Sequence, residues 1–524
     1  MSIRRRLLCG AALCALVFAN EALAQGTPPV ASQMQLLQQQ IQQLQQQLQS
    51  LQNQVNAQAQ QPAPVAAAAP PPPPGPHITQ SPTNRFSIES ADGKYSIGLT
   101  TQLHFDMGGY AYHPDAGRFG LTTPAGEAPH DLNSGVNARR ARFGFLGKLD
   151  GDWGYTFVYD FGGSQDTGAG GTTNAGVGDG IEKAYVTYNG LYHNNMGTAF
   201  DLGYQDMLYT LDESTSSNDI MFMERGSAGV VSTELGAGDF RSGAGVRSND
   251  SRYWAGIYLT GPQSGGNHTD GTGAGEPLSM FGRLTYQVLS APDYSLHFGV
   301  EAIGMLHPPT SAAGIRSITL SDRPELRIDP TSILTTGTVL GTQLNPLNGA
   351  QSYGFEVAGG YQNLFMQGEG YDYQIEREGL PTNNFYGGYL EGSWTVTGEH
   401  RNYIPSTGAY SGIIPAHPFS WSAGQLGAFE LAVRYSYVNL NDNVGSAPAA
   451  AAAAAAGTAQ TSNGVAGGQQ SIVTLGLNWY VNSNIRFMFN YLHGTIDKPG
   501  TGGGINAEGG AKFDALAMRT QVAF

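Results

Sequence analysis

From Arg85 to Phe524, a span of roughly 440 residues, apolar and polar side chains alternate with period two over segments of about ten residues, with turn-rich stretches between them. In the first segment Tyr95, Ile97, Leu99, Leu103, Phe105 and Met107 share one face, while Ser96, Gly98, Thr100, Gln102, His104 and Asp106 share the other. One face suits lipid and the other suits water. The same parity sets Phe143, Phe145 and Leu149 against Arg140, Arg142 and Lys148, and Trp153, Tyr155, Phe157, Tyr159 and Phe161 against Thr156 and Asp160. Later segments repeat it: Phe429, Leu431, Val433, Tyr435 and Tyr437 oppose Glu430 and Arg434; Ile485, Phe487, Phe489 and Tyr491 oppose Arg486 and Asn490; Leu516, Met518, Val522 and Phe524 oppose Arg519 and Gln521. The pattern predicts an all-β chain: a transmembrane antiparallel barrel of about sixteen strands, to within two, wide enough for a water-filled lumen. Short connections, as at Asp150 to Asp152 and Ser248 to Asp250, alternate with long ones, as from Gly162 to Gly180 and Ile303 to Ala350. The short ones belong at the periplasmic end. Thr395 to Gly427 is long where a short connection is due, so a further strand can be hidden there.

Different physics governs the segments ahead of the barrel. Arg4, Arg5 and Arg6 precede an apolar stretch from Leu7 to Phe18 and a small-x-small pattern at Ala22 to Ala24, so residues 1–24 read as a secretory signal peptide. At about 12 residues the apolar stretch is too short for a permanent membrane helix. Residues 25–61 form a glutamine-rich segment in which Met34, Leu37, Ile41, Leu44, Leu48, Leu51 and Val55 recur at alternating spacings of three and four. This is the pattern of a short N-terminal coiled coil. Its neutral flanks favour self-association, and its mixed core leaves the oligomer state open. Residues 62–84 form a proline-rich linker with Pro70 to Pro74 consecutive, and residues 85–524 form the barrel domain.

Composition narrows the function. Both cysteines, Cys9 and Cys14, fall in the signal, which removes disulfides, thiolate metal sites and cysteine nucleophiles from the mature chain. Without the signal's three arginines and Glu21 the chain has 26−3=23 basic and 41−1=40 acidic residues, a net charge of −17, which argues against nucleic acid. A chain with 73 glycines, 26 tyrosines and 13% charged residues suits a sheet with aromatic girdles, although a secreted soluble β-sandwich shares that composition. No nucleotide loop, nucleophile elbow or metal-ligand spacing is present, so no catalytic residue, cofactor or metal is expected and the chain is not read as an enzyme. His104 and Asp106 share the polar face and read as solvated wall residues.

Arg139, Arg140 and Arg142 form the densest basic cluster. By parity Arg140, Arg142 and Lys148 point into the lumen, whereas Arg139 belongs nearer a rim. Arg283, Arg434, Arg486 and Arg519 share the lumen parity. Two readings stay open: an anion-attracting wall, or ordinary charge pairs with lumen acids such as Asp160.

Several stretches together resemble the phosphate-selective porin O/P family: NARRARFGFLGK from Asn137 to Lys148, Trp153 to Gly162, FMER from Phe222 to Arg225, GEHR from Gly398 to Arg401, Gly427 to Ser436, and LGLNWY from Leu475 to Tyr480. The resemblance covers residues 85–524. It implies a homotrimeric outer-membrane porin embedded in lipid, passing small hydrophilic solutes passively, with small anions such as phosphate as candidate cargo. It also implies recognition by the barrel-assembly machinery through Phe524, and a third loop, Asp206 to Gly238, folding inward with Glu224 and Arg225 at the constriction or joined in an internal salt bridge. One departure stands out. Beyond the signal the only lysines are Lys94, Lys148, Lys183, Lys498 and Lys512, and the long loop from Ile303 to Ala350 offers only Arg316, Arg323 and Arg327. A weakly selective general porin, with the coiled coil tethering it to the cell wall from the periplasm, is therefore the alternative.

Overall fold

The computed structural model describes residues 30–60, 75–80, 86–113, 132–162, 180–191, 197–235, 240–262, 275–291, 293–311, 313–337, 340–444, 463–498 and 508–524. The signal segment and most of the proline-rich linker lie outside the described residues. The chain divides into two units, 1–73 and 74–524.

The first unit holds one long helix, α1 (Val30–Gln60). Glutamine and leucine keep it helical, since unbranched side chains lose little rotamer freedom there. Its heptad residues Ile41, Leu44, Leu48 and Leu51 are all exposed in the single chain. No described helix is long and apolar enough to cross a membrane.

The second unit is a closed sixteen-stranded antiparallel barrel. In chain order its strands are β1 (Ser96–His113), β2 (Gly135–Leu149), β3 (Trp153–Asp160), β4 (Ile181–Tyr188), β5 (Gly197–Asp206), β6 (Phe240–Asn249), β7 (Tyr253–Thr260) and β8 (Leu278–Ala291). They continue with β9 (Tyr294–His307), β10 (Leu347–Tyr361), β11 (Leu364–Arg377), β12 (Asn383–Thr395), β13 (Ala428–Asp442), β14 (Val465–Tyr480), β15 (Ile485–Lys498) and β16 (Glu508–Ala523). Each strand pairs with its sequence neighbours. β16 then returns to β1, from Lys512 opposite His113 to Ala523 opposite Gln102, and the Thr101 amide donates to the Phe524 carbonyl at 3.0 Å. Closure matters because an open edge would leave backbone groups unpaired in lipid. A hairpin of His77–Gln80 and Phe86–Glu89 extends the sheet at the start of β1.

The period-two pattern sorts as expected. Leu99, Leu103, Phe105 and Met107 face outward and exposed, while Gln102, His104 and Asp106 are buried; Leu431, Val433 and Tyr435 likewise face out opposite buried Glu430 and Arg434. One glycine is needed for strand approach: Gly203 on β5 has φ +134, and a Cβ there would lie 2.5 Å from the Ala184 carbonyl oxygen.

The lumen is not an open tube. Residues 207–235 between β5 and β6 carry two short helices, α2 (Leu211–Ser214) and α3 (Ser227–Glu234), and are largely buried. Residues from 313 to 346 contribute buried Leu320, Leu334 and Leu340, and pair Ser321–Asp322 with Leu334–Thr335. Residues 396–427 hide no barrel strand. They hold a hairpin of Tyr403–Ile404 with Ala409–Tyr410, tucked against the inner wall where the Trp254 indole donates to the Ser406 carbonyl at 3.0 Å. These segments cover inward aromatics such as Phe281, Tyr373 and Phe385, which explains why parts of the inner face are apolar rather than wet.

Candidate pore constriction

The segment that crosses the lumen begins where β5 ends. Thr210 caps α2, its hydroxyl accepting from the Glu213 amide at 3.0 Å, and Glu369 on β11 accepts the Leu211 and Asp212 amides at 2.7 and 3.1 Å. A carboxylate is thereby placed at orphan donors of a helix start. The chain then runs across the lumen to the opposite wall, where Asn478 donates to the Met221 carbonyl at 3.0 Å and Asn490 accepts from the Met223 amide at 2.9 Å.

Glu224 is the point of attachment. Its Oε1 and Oε2 accept from Arg139 at 2.7 and 2.9 Å, and its Oε1 also accepts from Arg519 at 2.7 Å. Arg519 in turn grips Asp106 through two bonds of 2.7 Å. All four side chains are buried. Burial alone would push the Glu224 carboxyl up, but the guanidinium groups of Arg139, Arg519 and Arg140 outweigh it and hold the carboxyl well below its ordinary value. Arg225 points the other way and pairs with Asp212 at 3.3 Å and Glu213 at 3.0 Å inside the same loop.

Space remains on the side of β1 to β7. A cavity of about 480 Å³ is bounded by that wall and the loop. Its charged lining is Arg140, Arg142, Lys183, Arg225 and Arg247 against Asp201, Asp206 and Glu213, with hydroxyls from Thr100, Thr101, Ser214, Ser216 and Ser217 and rings from Tyr185, Phe240 and Tyr258. The arrangement can hold water and polar solutes.

A family model described as phosphate-selective porin O and P matches residues 105–524. The chain belongs to this family. It is 25% identical over 490 residues to an uncharacterized protein of Caulobacter vibrioides, covering 91% of this chain and 85% of that one. It is 24% identical over 399 residues to Porin O of Pseudomonas aeruginosa, covering 74% of this chain and 81% of that one. Among solved structures, the anion-selective porin from Comamonas acidovorans superposes with a TM-score of 0.44 at 13% identity, over 82% of this chain and all 100% of that one. OmpT of Vibrio cholerae, in its trimer form, gives 0.43 at 12% identity, over 82% and 99%. Family and barrel together make this protein an outer-membrane porin channel, and both are those of channels rather than enzymes.

The sequence-predicted wall of the porin splits once its contacts are seen. Arg140 and Arg142 do line the cavity; Arg140 lies 3.4 Å from His104, and Arg142 bonds Asp160 at 2.9 Å and Gln102 at 3.2 Å and pairs with Glu182. Lys148 sits away from the constriction, half-exposed and 3.5 Å from Glu89 of the N-terminal hairpin. Arg283 is buried against Glu356 through bonds of 2.9 and 2.8 Å, and also donates to Ser214 and to the Thr407 and Gly408 carbonyls. Arg434 binds Glu325 at 2.6 Å and the Glu224 carbonyl at 2.9 Å. Arg486 reaches the Asn218 carbonyl at 3.2 Å and lies over the Tyr480 ring. These guanidinium groups fasten the loops rather than face a solute.

Arg139 requires a correction. The register of β1 with β2 slips between His104 and Phe105: His104 pairs with Arg140 and Phe105 with Ala138, leaving Arg139 as the extra residue. This β-bulge breaks the alternation and turns Arg139 inward, fully buried on Glu224, not toward a rim. Sequence parity also passed over Lys183, 3.4 Å from Asp206, and Arg247, 2.9 Å from Asp201. Both stand on strands whose alternation is weak, and both are found by their acidic partners on β5.

Proposed function

We propose that this porin passes small hydrophilic solutes through the narrow passage between the third loop and the β1 to β7 wall, with a mild preference for anions, phosphate among them. The observation that carries the reading is the charge along that passage: five basic side chains line it against three acidic ones. Fixed guanidinium and ammonium groups in a narrow, partly dehydrated opening lower the barrier for anions, and the facing carboxylates temper the effect. Most lumen arginines, Arg142, Arg225 and Arg247 of the passage included, are engaged with carboxylates, which argues against a continuous phosphate-binding ladder and keeps the preference mild.

Single-channel conductance in planar bilayers, with reversal potentials in a KCl gradient and then millimolar additions of phosphate, tests this. Modest anion selectivity with phosphate block only at high concentration is expected. Half-block at low millimolar phosphate would establish a true binding site, and cation selectivity would overturn the reading.

The exposed apolar stripe Ile41, Leu44, Leu48 and Leu51 on α1 favours a second element: the helix self-associates in the periplasm, reinforcing a homotrimer or spacing it from the cell wall. In this reading residues 1–24 are cleaved on export, the proline-rich stretch ahead of the hairpin that begins at His77 is a stiff spacer, and Phe524 is the residue presented to the barrel-assembly machinery.

A further inference from the structure

Three glutamates meet behind the constriction loop. Glu301 on β9, Glu356 on β10 and Glu369 on β11 are buried, and one carboxylate oxygen from each lies within 4.8 Å of the others. Two glycines open the space. A Cβ on Gly354, which pairs laterally with Glu301, would lie 2.3 Å from the Glu301 Oε1, and a Cβ on Gly299, which pairs with Glu356, would lie 2.5 Å from the Glu356 Oε1.

Two of the three carboxylates are accounted for. Glu356 accepts from Arg283 and, at 2.6 Å, from the His297 Nε2, while Glu369 accepts from the amides of α2 and from the Tyr389 hydroxyl at 2.6 Å. Glu301 is not: it is 4% exposed and aimed at the other two, and among the described residues no N–H or hydroxyl donates to either of its oxygens, its nearest polar neighbour being the Glu356 carboxyl. The Tyr371 hydroxyl is also unpartnered, and its ring flanks the same Gly354. A buried carboxyl group without a cationic partner is costly to ionise, and the Arg283 guanidinium, which bonds only Glu356 of the three, cannot balance three carboxylates at once.

We propose that Glu301, Glu356 and Glu369 hold one divalent cation of calcium size. Glu301 supplies both of its oxygens, and Glu356 and Glu369 supply one each. Calcium accepts six to eight oxygen ligands at about 2.3–2.6 Å, so opposite ligands stand roughly 4.6–5.2 Å apart, which accommodates the observed span; magnesium, which keeps several of its waters, fits a buried cluster less well. Together with Arg283, one such ion balances all three carboxylates in their ionised forms. Because Glu369 also holds the first amides of α2, and Arg283 also holds Ser214, the ion ties three wall strands to the seat of the constriction loop.

The test is equilibrium dialysis with radioactive calcium on the full-length, detergent-folded porin, comparing wild type with Glu301→Gln and with the exposed-turn control Asp152→Asn. The expected result is one calcium ion fewer per chain in E301Q and an unchanged number in D152N. Equal binding by E301Q that shows native heat-modifiable migration overturns the proposal. Should E301Q fail to fold, terbium on the wild type decides: tyrosine-sensitised emission displaced by calcium supports the site, and absence of that emission overturns it in favour of a proton held by Glu301.

Discussion

A buried charge network is worth less than its list of contacts suggests, yet breaking it on one side is expensive, because the abandoned partner stays out of water. Glu224 is such a case, since it answers both Arg139 and Arg519. Glu224→Gln should cost about 3–5 kcal/mol against urea unfolding in detergent. The pH dependence has a definite sign: the folded carboxyl lies below its unfolded value, so its stabilisation is complete above about pH 5 and is lost as pH falls through the folded value. E224Q should therefore flatten the acid limb of wild-type unfolding, and an equally steep limb in the variant would show that other carboxylates carry it. Selectivity separates along the same lines. Arg140→Ala should move the reversal potential in a KCl gradient toward cation preference, because Arg140 lines the passage, whereas Arg486→Ala should leave it in place, because Arg486 does not. The lumen orientation of Arg140 and Arg142 was legible in strand parity. Arg139 was not, because a bulge inserts one residue into the count and carries no fixed sequence signature.

At the level of elements, the strands were legible and the plug was not. Alternation over ten residues depends only on neighbours in the chain, so β1, β13 and β16 can be read directly from the sequence. The inward path of residues 396–427 depends on contacts far apart in sequence: Thr407 and Gly408 offer carbonyls to Arg283, Ser406 to Trp254, and Arg401 binds Glu430 at 2.8 and 3.0 Å. Nothing local marks such a segment except that it is long where a short turn is due. The hairpin from Tyr403 to Tyr410 fills space between the third loop and the wall. Replacing it with a short glycine-serine turn that keeps Arg401 should widen the lumen and raise single-channel conductance, while heat-modifiable migration confirms that the barrel still closes. Ser406 and Thr407 of the hairpin also line the passage, so an unchanged conductance would show that the third loop and the β1 to β7 wall, not the hairpin, limit flow.

At the scale of the whole molecule, family and barrel agree, and the unit that precedes the barrel lies ahead of the residues the family model matches. A lone helix with exposed Ile41, Leu44, Leu48 and Leu51 leaves a full apolar seam in water, whereas burying each such side chain returns about 1.5–3 kcal/mol, less the entropy of association. Uncharged glutamines on either side offer neither repulsion between copies nor a code for a foreign partner, which favours the proposed covering of the seam by other copies of itself. Tethering several copies to one barrel assembly raises their effective concentration into the millimolar range, which lets a helix of marginal intrinsic affinity associate. Leu44→Gln with Leu51→Gln keeps helix propensity while removing two core layers. The double variant should therefore lower the temperature at which the oligomer dissociates in semi-native electrophoresis, yet leave the heat-modifiable unfolding of the individual barrel where it was. A fall in both would mean that the substitutions disturb the barrel itself. A fall in neither, together with undiminished binding to purified peptidoglycan, would mean that the helix contributes to neither assembly nor attachment, and that the seam is covered by something other than copies of this chain.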